Sequence, residues 1–196
     1  SQNPLTGLLN IKGVKDATRK EEARVKRGES IGGVVLFIDL AGFKRTNDKN
    51  GDEVGDLGLI EFTKHIERFG FRESDIIANE RGDSFLVILT NTKLLHPTQD
   101  PSLNSITKTF STATDPRYMA WTRIEEFIRS SRMLGFSGEK NKHGVPFTDT
   151  LNARVAVSEY GNPEKGERSI QDAQNHCKLQ MDTLQKLTNH WVIGGR

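Results

Sequence analysis

Apolar residues in this chain of 196 residues occur in short runs that glycine-rich and polar segments separate. A continuous apolar run predicts a buried strand that ends at Asp39. Gly82 lies in a polar segment between two further apolar runs, which is typical of a hairpin turn. Strands are predicted at residues 34–38, 75–79, 85–89, 151–157 and 191–193.

Helical spacing of apolar residues, and one Lys-, Arg-, Glu- and Ala-rich segment, predict four helices. They lie at residues 14–29, 59–69, 118–128 and 170–184. Turn-forming residues predict loops at 42–51 and 135–144, and a polar segment predicts a surface insertion at about 91–115. The alternation of strands and helices indicates an α+β fold in a single domain, residues 1–196, in which residues 1–29 form an N-terminal segment and helix.

Composition argues against several classes of function and location. Hydrophobic residues make up 34% and charged residues 28%, and the net charge of +2 is spread over mixed acids and bases. No concentrated basic face is expected, so a nucleic-acid polymer is not a predicted partner. The apolar runs are too short for membrane insertion and no signal peptide opens the sequence. The single cysteine, Cys177, excludes an internal disulfide and is predicted to be buried, which fits a cytoplasmic location.

Two carboxylates stand out as candidate metal ligands. Asp39 ends a predicted buried strand, and Asp83 lies in the turn of the hairpin expected to pair beside it. Such a pair can share a divalent cation that neutralises a nucleotide triphosphate. The alternative is that an aspartate after a strand only begins a turn.

Several segments resemble one bacterial family. Residues 3–10 (NPLTGLLN) resemble the D-x-L-T-G-L-x-N opening of GGDEF domains. Residues 37–56 resemble the family's F-x-D-x-D-x-F-K-x-x-N-D…G-H-x-x-G-D run, and residues 81–85 (RGDSF) stand where the GG[D/E]EF signature belongs. The resemblance implies a palm-like fold, a central antiparallel sheet flanked by helices. It also implies an ancestral diguanylate cyclase reaction, in which two GTP molecules become cyclic di-GMP.

The resemblance also implies roles for individual residues. Asp39, with Asp83, corresponds to the metal-binding positions, and Asn47 and Asp56 to those that bind the guanine edge. Lys44 corresponds to a phosphate-binding position. The amide and carboxylate suit the acceptors and donors of guanine. No cofactor is expected to be required, and Mg²⁺ is expected only if GTP is bound.

Departures from the family pattern predict that this active site has decayed. Arg81 replaces the first glycine of the signature, and Ser84 replaces its glutamate. Ala41 replaces the second aspartate after the strand, and Asp52 stands where a histidine is usual. The cationic segment near the family's C-terminus is not recognisable. Because a hydroxyl cannot supply a carboxylate's charge, we expect no functional catalytic residues, with Asp39 and Asp83 as remnants.

A second family motif is complete. Residues 72–75 match R-x-x-D, the family's product-binding site, so the resemblance assigns Arg72 and Asp75 to cyclic di-GMP. A guanidinium can fork onto guanine or phosphate, and a carboxylate accepts from guanine N–H groups. The alternative is a solvated surface pair.

Three functions therefore compete. The first is a non-catalytic cyclic di-GMP receptor that signals to a protein partner or an upstream sensory domain. The second is a residual diguanylate cyclase that makes cyclic di-GMP from two GTP molecules. The third is a GTP-binding allosteric or scaffolding module.

Overall fold

The computed structural model describes residues 1–95 and 118–194, so residues 96–115 of the predicted insertion lie outside the described residues. The described elements follow in chain order: α1 (Ile11–Lys26), β1 (Gly33–Ala41), α2 (Phe43–Asn50), α3 (Asp52–Phe69), β2 (Ile76–Arg81), β3 (Ser84–Leu89), β4 (Lys93–Leu95), β5 (Tyr118–Ala120), α4 (Trp121–Ser130), β6 (Leu134–Gly138), β7 (Phe147–Tyr160) and α5 (Ile170–Gly194).

Five strands form one antiparallel sheet in the order β2-β3-β1-β7-β6. The apolar strand β1 lies at its centre, because only a strand covered on both faces can be hydrophobic along its whole length. The short strands β4 and β5 pair in parallel apart from it. The α+β class, with an antiparallel sheet flanked by helices, is therefore confirmed.

Alternate residues of β1 supply two hydrophobic cores. Leu36 belongs to a core that includes Phe62 of α3, whereas Val35 belongs to a core that includes Cys177 of α5. Burial of each large apolar side chain contributes roughly 1.5–3 kcal/mol. Cys177 is fully buried, as predicted. The two cores hold α3 and α4 on one face of the sheet and α1 and α5 on the other.

Both predicted loops are wrong in part. Residues 43–50 form α2, because Thr46 and Asn50 both donate side-chain hydrogen bonds to Asp149 of β7, at 3.2 and 3.1 Å. Residues 134–138 form β6, which pairs with β7 and buries Phe136. Contacts with β7 thus order two segments whose local sequence favours turns.

The end of the chain also differs from its prediction. Residues 191–193 continue α5 instead of forming a strand, because extending an existing helix outweighs the strand preference of Trp, Val and Ile. The helix predicted from residue 118 begins at Trp121, after β5. Over the described residues, no helix combines the length and the apolar character that crossing a membrane requires.

Candidate functional site

Asp39 lies near the end of β1, on the face of the sheet that carries α5. Its partner across β3 is Ser84, and its partner across β7 is Arg154. Residues directly opposite each other on antiparallel strands have side chains about 5 Å apart on one face. Ser84, Asp39 and Arg154 therefore form a row across three strands, which we call the cleft row.

The Asp39 carboxylate is already neutralised within the cleft row. Arg154 donates from Nε to Asp39 Oδ2 at 3.0 Å and also from Nη2 to the same oxygen. Gln185 of α5 lies over the pair, with its Nε2 3.5 Å from the same oxygen. The Asp39 and Arg154 side chains are only 13% and 18% exposed. Sequence reasoning missed Arg154, whose one signal is a charged residue within the alternating pattern of β7.

Asp83 approaches the cleft row from the hairpin turn. Burial raises its pKa, and the nearby Asp39 carboxylate raises it further, while Arg154 opposes the shift. The two acids predicted to share a metal are thus close enough to interact. However, no group of three or more His, Cys, Asp or Glu side chains that could hold a metal ion occurs among the described residues. As folded, the cleft row does not fit a divalent cation, because Arg154 already occupies Asp39.

The turn that carries Asp83 is fixed from β2. Asn79 is almost fully buried, and its Nδ2 donates to the carbonyls of Gly82 and Ser84 at 2.9 and 3.0 Å. Gly82 adopts a φ of +46°, which favours glycine. Arg81 is exposed at the start of the turn. The signature segment therefore keeps a defined turn despite its altered residues.

The residues predicted to bind guanine lie on α2 and α3. Asn47 is partly buried, and its Oδ1 is buried without a hydrogen-bond partner among the described residues. A Cβ added to Gly55 would lie 1.9 Å from that oxygen, so the glycine makes room for the Asn47 amide. Asp56, next to Gly55, and Lys44 are exposed. Asn47 and the helix that carries Asp56 are therefore in contact, and the Asn47 Oδ1 acceptor is buried there.

The Arg72–Asp75 segment forms a closed turn. The Asp75 carboxylate accepts from the backbone N–H groups of Arg72 and Thr90, at 2.9 and 3.0 Å, and the Asp75 N–H donates to Arg72 O at 3.0 Å. Burial raises the pKa of Asp75, whereas the two N–H groups and the Arg72 charge lower it. The structure thus brings the two residues of the predicted motif into one turn.

The Arg72 side chain is exposed, and its Nη1 donates to Thr92 Oγ1 at 3.2 Å. A cavity of about 400 Å³ opens beside the turn, with Phe71, Arg72, Asp75 and Ile77 among its lining residues. Thr92 also donates from its backbone to Gly32, just before β1 begins. Gly32 and Asp39 are seven residues apart, about 23 Å of extended strand, so this site lies toward the opposite end of β1 from Asp39.

A family model and a known relative each match part of this chain. Residues 1–122 match the family model described as diguanylate cyclase, GGDEF domain. Over 55 residues, which are 28% of this chain and 8% of the relative, the chain is 47% identical to the bifunctional diguanylate cyclase/cyclic di-GMP phosphodiesterase MucR of Pseudomonas aeruginosa. The chain thus spans only a small part of that relative's length.

Two solved structures share the fold. The diguanylate cyclase SiaD of Pseudomonas aeruginosa, crystallised with its activator SiaC, superposes with a TM-score of 0.66 at 22% identity, over 91% of this chain and 55% of the SiaD chain. The coiled coil and GGDEF domain of Caulobacter crescentus DgcB, in complex with cyclic di-GMP, superposes with a TM-score of 0.65 at 18% identity. That match covers 100% of this chain and 82% of the DgcB chain.

Proposed function

Since the chain belongs to the GGDEF domain family, which its match over residues 1–122 shows, we propose that it is a non-catalytic receptor for cyclic di-GMP. The ligand would bind at the Arg72–Asp75 turn. The observation that carries the proposal is that an exposed guanidinium, that of Arg72, and a half-buried carboxylate, that of Asp75, line the same cavity. Occupancy would be relayed to a protein partner or an adjoining sensory domain.

The chemistry of the turn suits a guanine dinucleotide. The Arg72 guanidinium can fork onto guanine O6 and N7 or onto a phosphate. Each Asp75 oxygen accepts one backbone N–H and retains a further lone pair for guanine N1–H or the 2-amino group. Phe71 beside them offers an apolar surface, and the volume of about 400 Å³ falls within the range of small-molecule sites.

The cleft row supports the absence of catalysis. Joining two GTP molecules needs metal-bound carboxylates to stabilise the developing charge, and Ser84 replaces one of the signature's two acids, which leaves Asp83. Asp39, the other expected metal-binding position, is paired with Arg154. We therefore expect no cyclic di-GMP from GTP and Mg²⁺ above the level of an Asp39→Ala variant, with chromatography as the measurement. Product that Asp39→Ala abolishes would support the residual cyclase instead.

Calorimetric titration with cyclic di-GMP tests the receptor directly. We expect wild type to bind, and Arg72→Ala to lose at least about tenfold in affinity, because a charge-assisted hydrogen bond is worth ~1.5–3 kcal/mol. Arg68→Ala, which removes the same charge from an exposed position on α3, is the matched control and should bind like wild type. Absence of binding by wild type, or equal losses in both variants, would contradict the proposal.

The Asn47 amide favours a second candidate, a GTP-binding module without turnover. Its Oδ1 is a buried acceptor without a described partner, and such groups are costly unless a ligand or water satisfies them. This function predicts GTP affinity that Asn47→Ala weakens and Arg72→Ala leaves unchanged. The opposite pattern, or no GTP binding, would exclude it.

A further inference from the structure

We propose that Arg154 is a built-in cation that replaces the divalent metal ion in the cleft row. Its guanidinium neutralises the Asp39 carboxylate, so the cleft row does not bind divalent cations at millimolar concentration. This inference concerns the end of β1 opposite the Arg72–Asp75 turn and is independent of cyclic di-GMP binding.

The position of Arg154 follows from strand register. In the antiparallel pairing of β1 with β7, Arg154 lies directly opposite Asp39, and the neighbouring pairs Phe37–Ala156 and Ala41–Asn152 fix that alignment. A shift by one residue would turn the Arg154 side chain to the other face of the sheet. Arg154 therefore meets Asp39 because the whole of β7 is in register, and not through a flexible surface encounter.

The contact uses two of the five N–H donors of the guanidinium. Nε and Nη2 both donate to Asp39 Oδ2, and Gln185 Nε2 approaches the same oxygen at 3.5 Å. The side chains are 13% and 18% exposed, so the pair is largely removed from water and weakly screened. A buried carboxylate needs a counter-charge, and here the chain itself supplies it.

A divalent ion fits this arrangement poorly for two reasons. Mg²⁺ and Mn²⁺ sites are built from several oxygen ligands, among them one or two carboxylates, whereas Ser84 and Gln185 beside Asp39 are neutral. The positive charge of Arg154, which is paired with Asp39, would also repel an incoming divalent ion. Removing that charge should expose Asp39, with Asp83 close by, to a metal ion.

Mn²⁺ titration without nucleotide, followed by electron paramagnetic resonance of the free ion, tests the proposal. We expect wild type and Arg154→Lys, which keeps the charge, to bind no Mn²⁺ up to about 1 mM, the weak limit of oxygen-ligand sites. Arg154→Ala should gain a Mn²⁺ site whose dissociation constant is at least about tenfold below that 1 mM limit. Arg154→Gln removes the charge while retaining hydrogen-bonding capacity, so it provides a neutral variant that is expected to fold if Arg154→Ala does not.

Two double variants locate the new site. Arg154→Ala with Asp39→Asn should lose the gained Mn²⁺ binding, whereas Arg154→Ala with Ser84→Glu should strengthen it by adding a carboxylate opposite Asp39. Circular dichroism confirms that each variant is folded. The proposal is overturned if wild type binds Mn²⁺ as tightly as the neutral variants, if neither neutral variant gains binding, or if the gain survives Asp39→Asn.

Discussion

The Tyr160 hydroxyl at the end of β7 donates a hydrogen bond of 3.2 Å to the Glu21 carboxylate of α1, although 139 residues separate them in the chain. Glu21 is only 3% exposed and also accepts from Ser30 Oγ at 2.5 Å and Arg24 Nη1 at 2.8 Å. Burial raises the pKa of Tyr160, and the Glu21 charge raises it further, so the phenol remains a donor. This buried carboxylate fastens the N-terminal helix to the sheet.

Removal of the Glu21 carboxylate should destabilise the domain. We expect Glu21→Ala to lower the free energy of unfolding by about 2–3 kcal/mol and Tyr160→Phe by about 1 kcal/mol, because hydrogen bonds to a buried charged group are the stronger kind. Urea denaturation measures both values. Glu29→Ala, at an exposed acid paired with Arg27, is the control and should leave the unfolding midpoint unchanged. A Glu21→Ala midpoint equal to that of the control would contradict this account.

Asn79 provides a second stability test at the signature turn. Its amide donates to the Gly82 and Ser84 carbonyls and accepts from Asn3 Nδ2 at 2.8 Å. Asn79→Ala removes the partner of these three partly enclosed groups, so we expect a loss of about 1–3 kcal/mol in the free energy of unfolding and faster hydrogen exchange over residues 80–85. Asn175→Ala, at an exposed position on α5, should change neither quantity. Unchanged exchange in Asn79→Ala would show that the turn holds without it.

Much of the fold could be predicted because its strongest signals are local. The apolar run of β1, the hairpin of β2 and β3, and the spacing in α3 and α5 are each visible within a dozen residues. The strand β6 was missed because its glycine-containing segment favours a turn, although it pairs with the adjacent strand β7. The helix α2 was missed because its order comes from contacts with β7, about a hundred residues away along the chain. No local pattern encodes such contacts.

The candidate site also has one part that could be predicted from the sequence and one part that could not. Arg72 and Asp75 were singled out because the segment resembles the family's R-x-x-D motif, which is short and continuous in the chain, and the structure joins the two residues through their own backbone. Arg154 was missed because its meeting with Asp39 depends on strand register, which a single sequence does not reveal. Its role becomes apparent only when the residues opposite Asp39 on both neighbouring strands are known.

Gly55 should control GTP binding without affecting the Arg72–Asp75 turn. A methyl group at residue 55 would displace the Asn47 amide, because its Cβ would lie 1.9 Å from Oδ1. If the domain binds GTP, we expect Gly55→Ala to lower its GTP affinity about tenfold, which corresponds to the loss of one hydrogen bond of ~1.4 kcal/mol. Calorimetric titration with GTP measures this change. Cyclic di-GMP affinity should not change. Gly135→Ala is the control, since a Cβ added at that exposed residue of β6 would meet nothing within 4 Å.

Cys177 should report the opening of the core beneath α5. Burial raises the pKa of its thiol to about 12, and Sγ lies 3.7 Å from Val35 O. At pH 8 we therefore expect a thiol reagent such as DTNB to label the native protein at least ~100-fold more slowly than the unfolded chain. Leu179→Cys in a Cys177→Ser background places a thiol at a position that is 69% exposed, and it should react at once. Equal rates for the two thiols would contradict the packing of α5.

The pH dependence of cyclic di-GMP binding follows from Asp75. The ligand is proposed to donate N–H groups to the ionised carboxylate, and burial raises the pKa of Asp75 in the free protein above its ordinary value of about 3.9. Ligand binding favours the ionised form, so affinity should be full above this raised pKa and should fall as pH decreases through it.

Calorimetry over a pH series measures this profile. The Arg72 charge and two N–H groups oppose the shift, and Glu21 adds to it, so Glu21→Gln should move the onset of the loss to lower pH. Asp75→Asn, which cannot ionise, should bind more weakly and show no such fall. Wild-type affinity that stays constant down to pH 4, or an identical fall in Asp75→Asn, would mean that the Asp75 carboxylate does not accept the ligand's N–H groups.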